Sequence, residues 1–135
     1  MNECIFCKII KGDIPSDKVY EDDKFLAFLD ITPMNLGHTL LIPKEHHKDL
    51  FEIPDTTLCE IGPAIKKIAE AVKEGTKAHG INIGMNNGPV AGQVVFHAHI
   101  HIIPRFSDDG YKLWHGKEYD EEASQKIAKK IREII

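Results

Sequence analysis

His97-Ala98-His99-Ile100-His101-Ile102-Ile103-Pro104-Arg105 alternates imidazole and apolar side chains over its first six residues. Successive side chains of an extended chain point to opposite faces. A strand over Phe96 to Ile103 therefore sets His97, His99 and His101 on one side. Phe96, Ala98, Ile100 and Ile102 then face the other side, toward a core. Three imidazoles crowded on one surface cost stability unless they are solvated, hydrogen-bonded or ligated. Besides a merely histidine-rich polar surface, two uses fit: a metal site, since imidazoles suit zinc, or nucleophilic and acid–base chemistry at phosphorus.

The residues just before this strand favour phosphorus. Asn86-Asn87-Gly88-Pro89-Val90-Ala91-Gly92-Gln93 is a glycine-rich loop. Such a loop lets the backbone approach a ligand and turns N–H groups toward phosphate oxygens. It lacks the Gly-Lys-Ser/Thr ending of a P-loop, so its position beside the histidines is what gives it weight.

Working outward, Cys4 to Lys11 suits a short helix ended by Gly12. Val19-Tyr20, Phe25 to Leu29 and His38 to Ile42 read as strands, the first two joined by the Glu21-Asp22-Asp23 turn as an antiparallel hairpin. Thr57-Leu58-Cys59-Glu60 has capping-box form, and Leu58, Ile61, Ile65, Ile68 and Val72 continue at helical spacing to about Lys77. Pro63 predicts a tight or kinked first turn there. Ile81, Ile83 and Met85 alternate as a further strand, and Asp120 caps a last helix with Ile127, Ile131 and Ile134 on one face. This order predicts an α+β fold: an antiparallel sheet, one long crossing helix, and short N-terminal and C-terminal helices.

The whole chain sets the limits. Its 135 residues suit one domain without internal repeats or linkers. A net charge of -4 argues against a basic surface that grips long nucleic acid. No apolar run approaches the ~18 residues of a membrane helix, and no secretory signal opens the chain. Three cysteines, an odd number, read as reduced thiols of a cytoplasmic protein, with Cys4 and Cys7 as possible metal ligands.

Gly92 to Arg105 resembles the signature of the histidine triad (HIT) superfamily, His-x-His-x-His followed by apolar residues. Cys4-Ile5-Phe6-Cys7-Lys8-Ile9-Ile10, Ile14-Pro15, Phe28-Leu29-Asp30-Ile31 and His38-Thr39-Leu40-Leu41-Ile42-Pro43-Lys44 resemble its Hint-like bacterial branch in order and spacing. The resemblance covers about residues 4–106 of a single HIT domain spanning 1–135, with 107–135 as a C-terminal extension that contains Trp114.

That resemblance implies a homodimeric hydrolase or transferase acting on the α-phosphate of nucleoside 5′-phosphate derivatives. It makes His99 the nucleophile that forms a nucleotidyl-histidine. An imidazole, with a reference pKa near ~6.5, needs no added base for this at pH 7. His101 then contacts phosphate and helps protonate the leaving group, with His97 and His38 as the remaining histidines of the site. Asn86, Gly92, Gln93 and the Val94 backbone match phosphate-binding positions. Asp30 matches the carboxylate that accepts from both ribose hydroxyls, and Phe6, Ile9, Phe28 and Ile31 match the walls around the base. In isolation, Asp30 also reads as a turn former, His38 as a structural histidine and the four apolar residues as core.

Cys4, Cys7, His46 and His97 match a closed structural zinc set, with His47 as an alternative to His46. The implied ligand is a purine nucleotide such as AMP or GMP, and no metal is expected in the chemical step. Phosphoramidates and adenylylated amines are the first substrate expectation, dinucleoside polyphosphates the second, and a non-catalytic purine-nucleotide-binding module the alternative class. One departure stands out: Val94 occupies the place of a serine in the Hint enzymes, so a hydroxyl beside the phosphate is missing.

Overall fold

A computed structural model describes residues 3–135. The first helix, α1 (Ile5–Lys11), is capped at its start by the Cys4 sulfur, which accepts from the Cys7 N–H, and at its end by Gly12 in the left-handed conformation. Five strands follow: β1 (Lys18–Glu21), β2 (Phe25–Leu29), β3 (Thr39–Pro43), β4 (Gly80–Gly84) and β5 (Ile100–Arg105). They form one antiparallel sheet in the order β1-β2-β3-β5-β4. The long helix α2 (Asp55–Thr76) crosses from β3 to the edge strand β4, and α3 (Glu121–Ile134) ends the chain.

Alternation along the strands builds two cores. Phe25, Ala27, Leu41, Ile100 and Ile102 face α2, where they meet Ile61, Ala64, Ile68 and Val72. Leu26, Phe28, Leu40 and Ile42 face the opposite way and meet Phe6 and Ile9 of α1. Burying each such aliphatic side chain stabilises the fold by about 1.5–3 kcal/mol. His101, between Ile100 and Ile102 on β5, is therefore turned to the α1 side of the sheet, with α2 packed behind.

Three expectations are corrected. Helix α2 begins at Asp55 after Pro54, not at the Thr57 capping box; the Leu58 N–H already bonds the Pro54 carbonyl at 3.0 Å. Pro54 is the N-cap, with ψ of 145°, and its carbonyl takes the first helical bond while it has no N–H to leave unpaired; the earlier start puts Pro63 in the helix interior. The histidine strand begins at Ile100 rather than Phe96. Its pairing with β3 runs Thr39↔Ile102, Leu40↔His101, Leu41↔Ile100 and stops, because the next stretch of β3 ends in Pro43, which has no N–H to donate. The Ala98 N–H goes instead to the His47 carbonyl, 2.7 Å away. Phe96, outside the strand, is 41% exposed and not in the core, while Ala98 keeps its place on the α2 side.

Candidate functional site

The three histidines do lie on the α1 side of the sheet, but with different surroundings. His97 is wholly buried, His99 nearly so and His101 half-buried. The Phe6 ring packs edge-on against both His97 and His99, with centroids 5.9 and 5.2 Å apart. Burial makes each imidazole depend on partners in the protein, and those partners determine where its proton sits.

His97 belongs to a four-donor cluster. Its Nε2 donates to the Pro43 carbonyl at 2.7 Å, and since a carbonyl only accepts, Nδ1 is the bare nitrogen. That Nδ1 faces Cys4 Sγ at 3.5 Å, Cys7 Sγ at 3.6 Å and His46 Nδ1 at 3.2 Å, with Cys7 Sγ 3.4 Å from His46 Nδ1. Two sulfurs and two nitrogens around one tetrahedral zinc stand about 3.3–3.8 Å apart, so these separations match the edges of a zinc tetrahedron. The Pro43 carbonyl provides the outer hydrogen bond that orients a metal-binding imidazole. Burial first, and then the neighbouring Cys4, raise the Cys7 thiol above its ordinary value; a divalent cation is what reverses such a preference. The donor set fits zinc through His46. His47 is buried outside the cluster, with its Nε2 unpartnered.

His99 is oriented by its own chain. Its Nδ1 lies 2.8 Å from the His97 carbonyl and must donate to it, which leaves the Nε2 lone pair free. His101 is oriented from the other side: its Nδ1 is 2.9 Å from His38 Nε2, and His38 Nδ1 accepts the Met34 backbone N–H at 3.1 Å. With Nδ1 of His38 an acceptor, its Nε2 carries the proton and donates, so His101 accepts at Nδ1 and keeps its own N–H at Nε2. Burial above all, reinforced by the neighbouring His99 and His38, lowers His101 to about 4, with Asp30 opposing. Burial likewise lowers His38, again against Asp30.

A cleft of about 400 Å³ lies over this face, a volume in the range of small-ligand sites. Phe6, Ile9, Phe28, Ile31, Asp30, Asn86, Gly92, Val94, His99 and His101 all line it. Asp30 has one oxygen occupied: Oδ1 accepts from the Thr32 N–H at 2.9 Å and the Thr32 hydroxyl at 3.2 Å, the turn-forming role of an aspartate. Its Oδ2 is 3.7 Å from His38 Nε2. Gly92 has φ of +97°, and a β-carbon there would come within 3.2 Å of Asn86 Nδ2, so glycine is what lets the loop close over Asn86.

Gln93, His97 and His38 are not among the lining residues. The Gln93 side chain is fully used within the protein: Oε1 accepts from the Gly88 N–H at 2.9 Å, and Nε2 donates to the carbonyls of Lys48 at 2.7 Å and Val95 at 3.1 Å. It shapes the loop, and its backbone N–H is engaged as well, donating to the Gly88 carbonyl at 3.1 Å. The sequence reading missed the Met34 N–H, the Pro43 carbonyl and the cleft residues Ser16, Leu40 and Val95. Backbone groups carry no residue signature. Leu40 was legible only as a strand position that alternation turns toward α1.

Residues 11–108 match the HIT domain family model, and the chain belongs to this family. Among solved structures, a Streptococcus mutans protein superposes with a TM-score of 0.93 at 46% identity, covering 98% of this chain and 85% of that one. A zinc-bound histidine triad family protein from Mycobacterium smegmatis superposes with a TM-score of 0.76 at 43% identity, covering 93% and 89%. An adenosine 5′-monophosphoramidase of Candida albicans is 42% identical over 139 residues, 98% of this chain and 91% of that protein.

Proposed function

We propose that this protein is a nucleotide hydrolase or transferase that attacks the α-phosphorus of purine nucleoside 5′-phosphate derivatives with His99. The bare Nε2 of His99, held at the wall of the cleft by the Nδ1 bond to the His97 carbonyl, is the observation that carries this reading. Nε2 forms a bond to phosphorus, the leaving group departs with its electron pair, and the resulting imidazolium is stabilised at Nδ1–H by the His97 carbonyl. Water then attacks the nucleotidyl-histidine, the P–N pair returns to Nε2, the proton lost by the water passes to solvent, and AMP or GMP is released. Two in-line displacements leave the configuration at phosphorus unchanged.

The other lining groups divide the ligand between them. Phe6, Ile9, Phe28 and Ile31 hold the base, and the free oxygen of Asp30 takes a ribose hydroxyl. His101 Nε2–H, Asn86 and the Val94 N–H, brought close by Gly92, meet the phosphate oxygens, while Gln93 holds the loop in shape. Cys4, Cys7, His46 and His97 would hold a structural zinc, which would tie α1 to the loop before β5 and take no part in the chemistry. His97 and His38 act as positioning residues, since neither lines the cleft.

A homodimer through α2 and β4 fits the free sheet edge at β4 and the apolar groove of Ile65, Ala69, Ile81 and Ile83. The free cysteines suit the reducing cytoplasm. No helix among the described residues is long and apolar enough to cross a membrane.

The test is a rapid alkali quench with radiolabelled adenylyl substrates, because the P–N bond of a nucleotidyl-histidine survives alkali but not acid. A label on His99 is expected, and His99→Ala should lose at least about 10³-fold in kcat while still binding AMP. Tight AMP binding with no adduct and no turnover would make the protein a binding module instead.

A further inference from the structure

Three titratable side chains line the cleft among the described residues: Asp30, His99 and His101. Asp30 is engaged as an acceptor by Thr32. His99 has its one N–H tied to the His97 carbonyl and offers only a lone pair. His101 remains as the source of a proton for a leaving group.

The hydrogen-bond chain behind His101 denies it that role. An added proton on His101 Nδ1 would face the Nε2–H of His38, 2.9 Å away. Moving that proton to His38 Nδ1 would set it against the Met34 N–H at 3.1 Å. Neither nitrogen can take a second proton without breaking a bond in a buried site, where an unpaired donor is costly. The lowering of His101 and His38 by burial runs the same way. The charged and titratable groups around His101 are His99 on its own chain segment, His38 before β3 and Asp30 after β2; Gly84, opposite it on β4, brings none.

The same arrangement also argues against a metal at Asp30, His38 and His101. These ligand atoms lie within 4.8 Å of one another. A metal on His38 Nε2 would push that ring's proton to Nδ1, against Met34.

We infer that His101 is locked as a single tautomer, a fixed Nε2–H donor to phosphate and not an acid, and that the site therefore selects nucleoside 5′-phosphate anhydrides over phosphoramidates. This rests on the proposed attack by His99. A sulfate or polyphosphate departs from phosphorus as a stable anion with the electron pair of the broken P–O bond and needs no proton. An amine departs only if its nitrogen is protonated, and a locked His101 would become an anion in supplying that proton. Val94, 84% exposed on the cleft wall, has no hydroxyl to help.

The experiment compares adenosine 5′-phosphosulfate and diadenosine tetraphosphate with adenosine 5′-phosphoramidate on the zinc-loaded protein. At about pH 7.5, kcat/KM for the anhydrides should exceed that for the phosphoramidate by at least about 10²-fold. Anhydride kcat should not fall as pH rises from about 7 to about 9, because the step requires no protonated acid. His101→Ala should lose about 10²-fold on anhydrides, the loss of one phosphate donor. His101→Gln should recover to within about tenfold of wild type, since its amide accepts from His38 and donates where Nε2–H did. An equal or greater phosphoramidate rate, an acid-dependent anhydride profile, or His101→Gln as impaired as His101→Ala overturns the inference. The quenched adduct separates the two claims: His99 labelled with the wrong leaving-group preference sinks only this one, and no adduct with any substrate sinks both.

Discussion

Gly37→Ala is the substitution that most directly tests how α2 supports the site. Gly37 precedes His38, has φ of +99°, and lies so close to α2 that a β-carbon there would stand 2.5 Å from Thr76 Cγ2. Three terms set the size of the effect. Left-handed backbone costs an alanine about 1–2 kcal/mol. Forcing a methyl into occupied space costs about 1–3 kcal/mol. The lower entropy of the unfolded alanine chain returns about 0.4–1 kcal/mol. The net destabilisation is about 2–3 kcal/mol.

Thr76→Ser isolates the steric part, because it removes Cγ2 while the hydroxyl that bonds the Val72 carbonyl at 2.7 Å remains possible. The next atoms around the new β-carbon are Pro104 Cγ at 3.6 Å and Thr76 Cβ at 3.8 Å, ordinary contacts. Urea unfolding of the four proteins of this cycle, at one protein concentration and matched zinc content, should give a coupling of about 1–2 kcal/mol. The backbone share of the cost should persist in both backgrounds. If Gly37→Ala costs the same beside Thr76 and in the Thr76→Ser background, the contact between β3's approach and the end of α2 is not what requires glycine, and the reasoning fails.

Two further predictions concern the site. Purified protein should carry about one zinc per chain by elemental analysis, and Cys7→Ser should lose it and lower Tm, while chelation should change stability more than the chemical step; protein purified without chelator and found metal-free would reject the zinc assignment. Asp30→Asn should weaken AMP and narrow its advantage over 2′-deoxy-AMP, because its one amide oxygen is held by Thr32 and a donor NH2 replaces the free acceptor oxygen. Equal calorimetric affinities of the unsubstituted protein for the two nucleotides would remove Asp30 from the ribose.

The α+β class and the placement of His97, His99 and His101 on the side of the sheet away from α2 were legible in the residue pattern; Phe6, Asp30 and Asn86 of the cleft came through resemblance, and Ser16 and Val95 were not legible. Period-two alternation and helical spacing are local properties, and the side toward which a strand residue points follows from them. Cys4, Cys7, His46 and His97 were legible as a candidate donor set through resemblance, with His47 as the alternative; the fold puts His46 in the cluster and His47 outside it, since adjacent residues differ only in direction. Tertiary structure also decided where the histidine strand begins, because the partner strand ends in Pro43 and cannot continue the ladder. It decided the start of α2 at Asp55 and the exposure of Phe96. Above all it decided the proton on each imidazole. His97 is set by the Pro43 carbonyl, His99 by the His97 carbonyl, and His101 by the Met34 N–H acting through His38. Those partners are main-chain N–H and carbonyl groups without a residue signature, so only their position in space separates a bare Nε2 at His99 from an Nε2–H at His101.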